Sequence, residues 1–174
     1  KFGGCVIGST IDKYSYIMLR DHPKYFEHKH RVVWSLNEDF NKISEIKHPI
    51  VKAVFKLMKV ERGSEIHHFS DLPGRSGIGS SSSFCVGLIN SFYYRNKNKF
   101  IDKNKLHKLA IYTERSIVKD VNGDQDSIWA AHGGFNKIIF NKNGCQINKL
   151  SINKKKIKEL EDNILLFNTS MFRN

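Results

Sequence analysis

The 174-residue sequence predicts an α+β fold, and three observations carry that expectation. Strand-like runs rich in β-branched and aromatic residues alternate with helical segments whose apolar residues recur every three to four positions. A glycine- and serine-rich turn joins one of those strands to one of those helices. The hydrophobic fraction is 40%, with twelve Phe and six Tyr, enough for a buried core and far from the composition of a disordered chain. A single core grows comfortably to this size, and no repeat, long linker or low-complexity tract interrupts the sequence, so residues 1–174 are expected to form one domain.

The elements follow in order. Val6 to Leu19 reads as strand, as does Arg31 to Leu36 around its Val-Val-Trp centre. Pro49 suits a first helical turn, and Ile50, Val54, Leu57 and Met58 behind it share one helical face. Glu65 to Phe69 is a short strand leading into Asp71-Leu72-Pro73 and the loop. Past the loop, Phe84, Leu88, Ile89 and Phe92 mark a helix, and Gly87 within it implies close packing, since glycine there costs about 1 kcal/mol relative to alanine. Asp102 caps a second helix over 104–118, with Leu106, Leu109, Ala110, Thr113 and Ile117 inward, and Asn122-Gly123 breaks it. Ser127 to Ala131 is a short helix stopped by Gly133-Gly134. Phe135 to Phe140 and Cys145 to Leu150 flank Asn141-Lys142-Asn143-Gly144 as a hairpin, Lys154 to Glu161 is a charged surface helix, and an apolar strand-like run follows in LLFNTS.

A formal net charge of +12 favours polyanions, including nucleic acid, a membrane surface or a phosphorylated metabolite. The excess comes from Lys scattered through Lys42–Lys59, Lys97–Lys108 and Lys149–Lys158 beside Asn and Ile, which reads as a solvated surface; neither a nucleic acid nor a membrane is expected as a partner. Cys5, Cys85 and Cys145 are odd in number and form neither a CxxC pair nor a zinc pattern, which fits a reducing cytoplasm. No apolar run reaches the roughly twenty residues of a membrane span, and the start lacks the form of a signal peptide. The opening KFGGCVIGS, without an initiator Met, is expected to lack an upstream segment.

Chemistry concentrates in Pro73 to Ser83, PGRSGIGSSSS. Gly77 and Gly79 precede four serines and a helix, so the backbone can approach an anion and offer it several N–H groups at a helix N-terminus. Neither the GK[ST] ending of a P-loop nor a full GxGxxG is present. A flexible serine-rich loop with a serine cap is the competing reading.

The loop resembles the signature of the GHMP kinases, P-x-x-x-G-L-G-S-S-A/S, with Ile78 in place of Leu. GGCVIGSTIDKYSY, SSSFCVGLIN, TERSIVKDVNGDQDSIWAAHGGFN and LLFNTS extend the resemblance over nearly the whole chain, and within the superfamily it looks most like the D-glycero-D-manno-heptose 7-phosphate kinases and their fucokinase relatives. The resemblance implies the N-terminal domain of that fold, which is like the second domain of ribosomal protein S5, with a mixed sheet packed against helices. It implies ATP and Mg²⁺ as cofactors and a small sugar or sugar phosphate as substrate, by this kinship the anomeric hydroxyl of a heptose 7-phosphate; fucose, galactose or mevalonate is the alternative, as is a nucleotide-binding fragment without activity. Gly77, Gly79, Ser80, Ser81 and Ser82 would hold the phosphates, Ser81 and Glu114 the metal, and Asp126 would align the acceptor hydroxyl and take its proton. Glu114 could instead be a surface residue pairing one turn away, and Asp126 a helix cap, with Asp124 as its rival. His67-His68 would point to opposite faces of a strand and are read as structural, and Asp12-Lys13-Tyr14 as ordinary strand. The family's glycine-rich GGGTD-like segment, whose aspartate helps bind sugar, has no counterpart here, so the chain is expected to lack the first strand and the C-terminal domain.

Overall fold

A computed structural model describes residues 3–74, 76–121, 123–165 and 167. In chain order the elements are β1 (Gly4–Ser9), β2 (Ser15–Asp21), β3 (His30–Val33), β4 (Asn37–Phe40), α1 (Pro49–Leu57), β5 (Ser64–Ser70), α2 (Ser80–Lys97), α3 (Lys103–Tyr112), α4 (Gln125–His132), β6 (Phe135–Asn141), β7 (Gly144–Lys149) and α5 (Lys154–Asp162). A 3₁₀ turn, Ile43–Glu45, precedes α1, and a π-helical turn, Thr113–Val118, follows α3. The α+β class expected from the sequence holds.

Two compact units form, Asp12–His132 and the pair of segments Lys1–Ile11 and Gly133–Asn174. In the latter, β6 lies between β1 and β7 in an antiparallel sheet, and the β6–β7 hairpin turns through Lys142-Asn143 as expected. The turn before β6 is fixed by two successive left-handed glycines, Gly133 and Gly134, with the Asn136 amide donating to both carbonyls. The amide of Gly134 donates to Thr10 Oγ1 at 3.0 Å. Helix α5 buries no residue; Asn153 caps it by accepting from the Lys156 amide. Most of the run 164–170 lies outside the described residues, and the residues described there, Ile164, Leu165 and Phe167, are exposed and not in a strand.

The unit Asp12–His132 holds a four-stranded sheet in the order β2-β5-β3-β4, antiparallel except for the parallel β3–β5 pair, as a mixed sheet should be. Its core joins Val32, Ile66, Phe40 and Phe55 to Phe84, Leu88, Ile89 and Phe92 of α2, so the four residues that marked α2 in the sequence do form its buried face. A Cβ on Gly87 would come within 2.5 Å of Ile17 Cδ1, which is the close approach that lets α2 lie on β2. Asp102 caps α3 by accepting from the Lys105 amide at 3.0 Å.

Four expectations need correction. The run Val6 to Leu19 is two strands in different sheets, since β1 pairs with β6 and β2 with β5. Asp12-Lys13-Tyr14 belongs to the connection between them, where the Tyr14 amide donates to Asp71 Oδ2 at 2.8 Å and the Asp71 amide returns to the Tyr14 carbonyl. The strand Arg31 to Leu36 ends at Val33, because Trp34 to Leu36 form a turn and Asn37–Phe40 comes back as β4. Polar Asn37-Glu38-Asp39 hid that strand, being poor in β propensity. Glu38 is nonetheless a buried anchor, accepting from the Trp34 indole and the Lys47 and His48 amides. The helix over 104–118 is α-helical only to Tyr112 and then widens into the π turn.

Phe55 is fully buried and meets the rings of His30, Phe40 and Phe92 at 5.2, 5.7 and 5.4 Å. Truncating Phe55→Ala should cost about 3–5 kcal/mol through lost burial and the cavity left behind, read as a lower urea midpoint at unchanged m-value. Burial also pushes the imidazoles of His30 and His48 down to about 4. Each therefore stays neutral in the fold while the unfolded chain takes up a proton near pH 6.5. Their contribution is complete above that pH and is lost as the pH falls from about 6.5 to 4. Urea unfolding across this window should show stability dropping with acid, and a flat profile would mean that both rings titrate normally.

Candidate active site

The loop's chemistry begins in its backbone. Gly77 and Gly79 adopt φ of +77° and +74°, left-handed values that glycine tolerates and side chains resist. Gly79 is the last residue before α2, and the Ser83 amide donates to its carbonyl at 2.9 Å, closing the first helical turn. The amides of Ser80, Ser81 and Ser82 precede that first bond, so they have no carbonyl partner within the helix and are turned toward its N-terminal end. The helix adds about half a positive charge there.

The serine run divides by direction. Ser81 is exposed on the first turn and Ser80 half-buried, whereas Ser82 is 1% exposed and donates its hydroxyl to Glu114 Oε1 at 2.8 Å. Glu114 is itself 2% exposed, and its other oxygen accepts from the Ser127 hydroxyl at 2.5 Å. Burial raises the Glu114 carboxyl above its ordinary range, against the two serine hydrogen bonds, and the nearby charges of Asp120 and Asp126 raise it further. The surface-pairing alternative for Glu114 is thereby excluded.

Its position depends on the π turn. Such widened turns recur at functional sites, and this one begins at Thr113, whose hydroxyl bonds back to the Leu109 carbonyl. Lys119, at φ +64°, ends the turn, and the Asp120 amide donates to the Glu114 carbonyl.

Asp126 lies in the first turn of α4. A Cβ built on Gly79 would approach its Cβ and Cγ at 3.2 Å and Oδ2 at 3.4 Å, so the Asp126 carboxylate rests against the Gly79 backbone where α2 begins. Its rival Asp124 instead pairs with Arg115 at 2.8 Å. The structure thus gathers Gly79, Ser82, Glu114 and Asp126, while Gly77 and Ser81 lie along the exposed stretch of the loop; Arg75 and Asn122 fall outside the described residues.

Ser127 was not singled out in the sequence. Its only signal is a small polar residue directly after Asp126 and before the apolar Ile128, a position that turns out to be fully buried. His67 and His68 do point apart: His67 bonds Glu65 Oε1 at 2.7 Å, and His68 bonds the Ser15 hydroxyl and packs on Phe84. Among the described residues no three His, Cys, Asp or Glu side chains cluster as a metal site, and no helix is long and apolar enough to cross a membrane.

This arrangement can be set beside known proteins. The chain is 29% identical over 186 residues to the D-glycero-α-D-manno-heptose 7-phosphate kinase of Campylobacter jejuni, covering 99% of this chain and 54% of that protein. A putative sugar kinase from Campylobacter jejuni superposes with a TM-score of 0.74 at 26% identity, over 90% of this chain and 53% of its own. A D-glycero-D-manno-heptose 1-phosphate kinase from Bacteroides thetaiotaomicron shares the fold, with a TM-score of 0.79 at 23% identity over 91% of this chain and 55% of its own. The chain therefore spans about half the length of each of these relatives. The family model for the N-terminal domain of GHMP kinases matches residues 46–134, which run from the lead into α1 through the glycine- and serine-rich loop, Glu114 and Asp126, and the chain belongs to that family.

Proposed function

We propose that this chain is the nucleotide-holding part of an ATP- and Mg²⁺-dependent kinase acting on a sugar or sugar phosphate, with the anomeric hydroxyl of a heptose 7-phosphate as acceptor. The observation that carries the reading is the meeting of an α2 N-terminus, the Asp126 carboxylate and the buried Glu114 at one place. The amides of Ser80 to Ser82, with Gly77 and Gly79, would hold the nucleotide phosphates. Asp126 would orient the acceptor hydroxyl and accept its proton, a task for which a carboxylate within reach suffices.

Glu114 and Ser81 fit Mg²⁺, being hard oxygen donors. The carboxylate accepts a serine hydrogen bond at each oxygen, out of about four lone-pair positions, so it retains capacity for a cation, and its burial leaves a charge that a cation would compensate. With few protein ligands gathered, the remainder of the shell would come from phosphate oxygens and water. When bound, the ion neutralises charge on the phosphates during transfer. The relative of 29% identity, named for a heptose 7-phosphate, supports the choice of acceptor.

Calorimetric titration with ATP and Mg²⁺, followed by a coupled ADP-release assay over a panel of sugars and sugar phosphates, tests the reading. Asp126→Asn should lower turnover by about 10²–10⁴-fold while ATP affinity stays nearly unchanged; undiminished turnover would remove Asp126 from the chemistry. Gly79→Ala should destabilise by about 1–2 kcal/mol from its left-handed backbone alone and should also weaken ATP binding by pushing against Asp126. A thermal midpoint and an ATP affinity both equal to those of the unaltered protein would show that the close approach does not matter.

A further inference from the structure

Two serines on different helices hold one buried carboxylate, and their placement is informative. Ser82 is the third residue of α2, directly after the exposed Ser81, and Ser127 directly follows Asp126 on α4. Adjacent helical residues point in different directions. Each helix therefore turns one side chain inward to Glu114 and the preceding one elsewhere: Ser81 to solvent at the loop, Asp126 to Gly79. Both serines are almost wholly buried, so their hydroxyls have no solvent partner to exchange with the carboxylate.

We propose that Ser82 and Ser127 are positioning residues for the metal ligand, fixing both oxygens of Glu114 so that a divalent cation on it stands in register with the phosphate loop and with Asp126. The proposal rests on the reading of Glu114 as a metal ligand. One hydrogen bond to each oxygen stops the carboxylate from rotating about its last torsion and still leaves lone pairs open. A hydroxyl donates without bringing a positive charge of its own, which would compete with a cation for the carboxylate. Because one hydroxyl comes from the helix that begins at the loop and the other from the helix that bears Asp126, the clamp makes the position of the cation site follow from the packing of α2 against α4.

The test uses Mn²⁺ as probe, its binding followed by the loss of the free-ion EPR signal in the presence of a non-hydrolysable ATP analogue. The unaltered chain, Ser82→Ala, Ser127→Ala, the double variant, Ser127→Thr and Glu114→Gln are compared, with far-UV circular dichroism on each and with analogue affinity measured in EDTA. Each serine removal is expected to weaken Mn²⁺ binding about tenfold, and the pair up to about a hundredfold, the range found when groups supporting a metal ligand are removed. For Ser127→Ala the metal-free analogue affinity should stay within about twofold, and Ser127→Thr, which keeps the hydroxyl, should restore most of the loss.

If Glu114→Gln lowers Mn²⁺ affinity but the serine variants do not, the clamp is wrong and the metal-ligand reading stands. If Glu114→Gln changes nothing, or the unaltered chain shows no saturable binding, the metal-ligand reading itself fails. If affinity falls only together with the folded dichroism signal, the hydroxyls are structural and the proposal is overturned.

Discussion

A carboxylate taken out of water must be compensated where it lies, and Glu114 imposes that constraint on the helical half of the molecule. Its two partners sit on different helices, so α2, the π turn and α4 must arrive together for either hydrogen bond to form. Other features serve the same convergence. Gly87 lets α2 settle on β2, α1 packs against the π turn, and α3 packs against α4. A missing partner would leave an unsatisfied buried acceptor, which costs more than the hydrogen bond itself contributes. The site is thus a consequence of how the helices satisfy one buried charge, and the loop in front of it inherits its position from α2.

The sheet constrains the same loop from its other side. Strand β5 leads into it, and both ends of that strand are tied to β2. At the start, the buried Glu65 accepts from Arg20, His22 and His67, and these donors hold its carboxyl down at about 2 although burial alone would raise it. At the far end, Asp71 takes the Tyr14 amide. The charge at Glu65 is shared among three donors and is a stiffening device; Asp71 fixes where the chain leaves the sheet. Between them these contacts hold the β2–β5 register at both ends of the strand.

Much of this was legible in the sequence because it rests on local pattern. The helical spacing of Phe84, Leu88, Ile89 and Phe92, the cap at Asp102, the hairpin at Asn141–Gly144 and the glycine pair in the loop all act within a few residues. What escaped depends on partners distant in the chain. Nothing near Thr10 announces that the strand before it pairs with residues 135–140 and the strand after it with residues 64–70. Strand β4 is polar because Glu38 is satisfied by amides nine and ten residues away, so its burial could not be read from its hydropathy. Glu114 and Asp126 were legible only through the resemblance to a family. Ser127 carried only the faint signal of a small polar residue before Ile128, since its hydrogen bond depends on a carboxylate thirteen residues earlier on the π turn.

The charge distribution bears on how the loop before α2 would receive a phosphate on the proposed reading. The chain carries a formal +12, yet among the described residues two carboxylates lie close to the start of α2, Asp126 against Gly79 and Glu114 behind Ser82. Lysines spread over a solvated surface are screened within about 8–10 Å at ordinary salt and cannot offset carboxylates at contact distance. A polyphosphate approaching this place would meet local repulsion despite the favourable net charge. Among the described groups the N-terminus of α2 can oppose it, as can, on the proposed reading, a divalent cation on Glu114. On that reading a cation at Glu114 would offset the repulsion that the Asp126 carboxylate would otherwise exert on a phosphate at the start of α2.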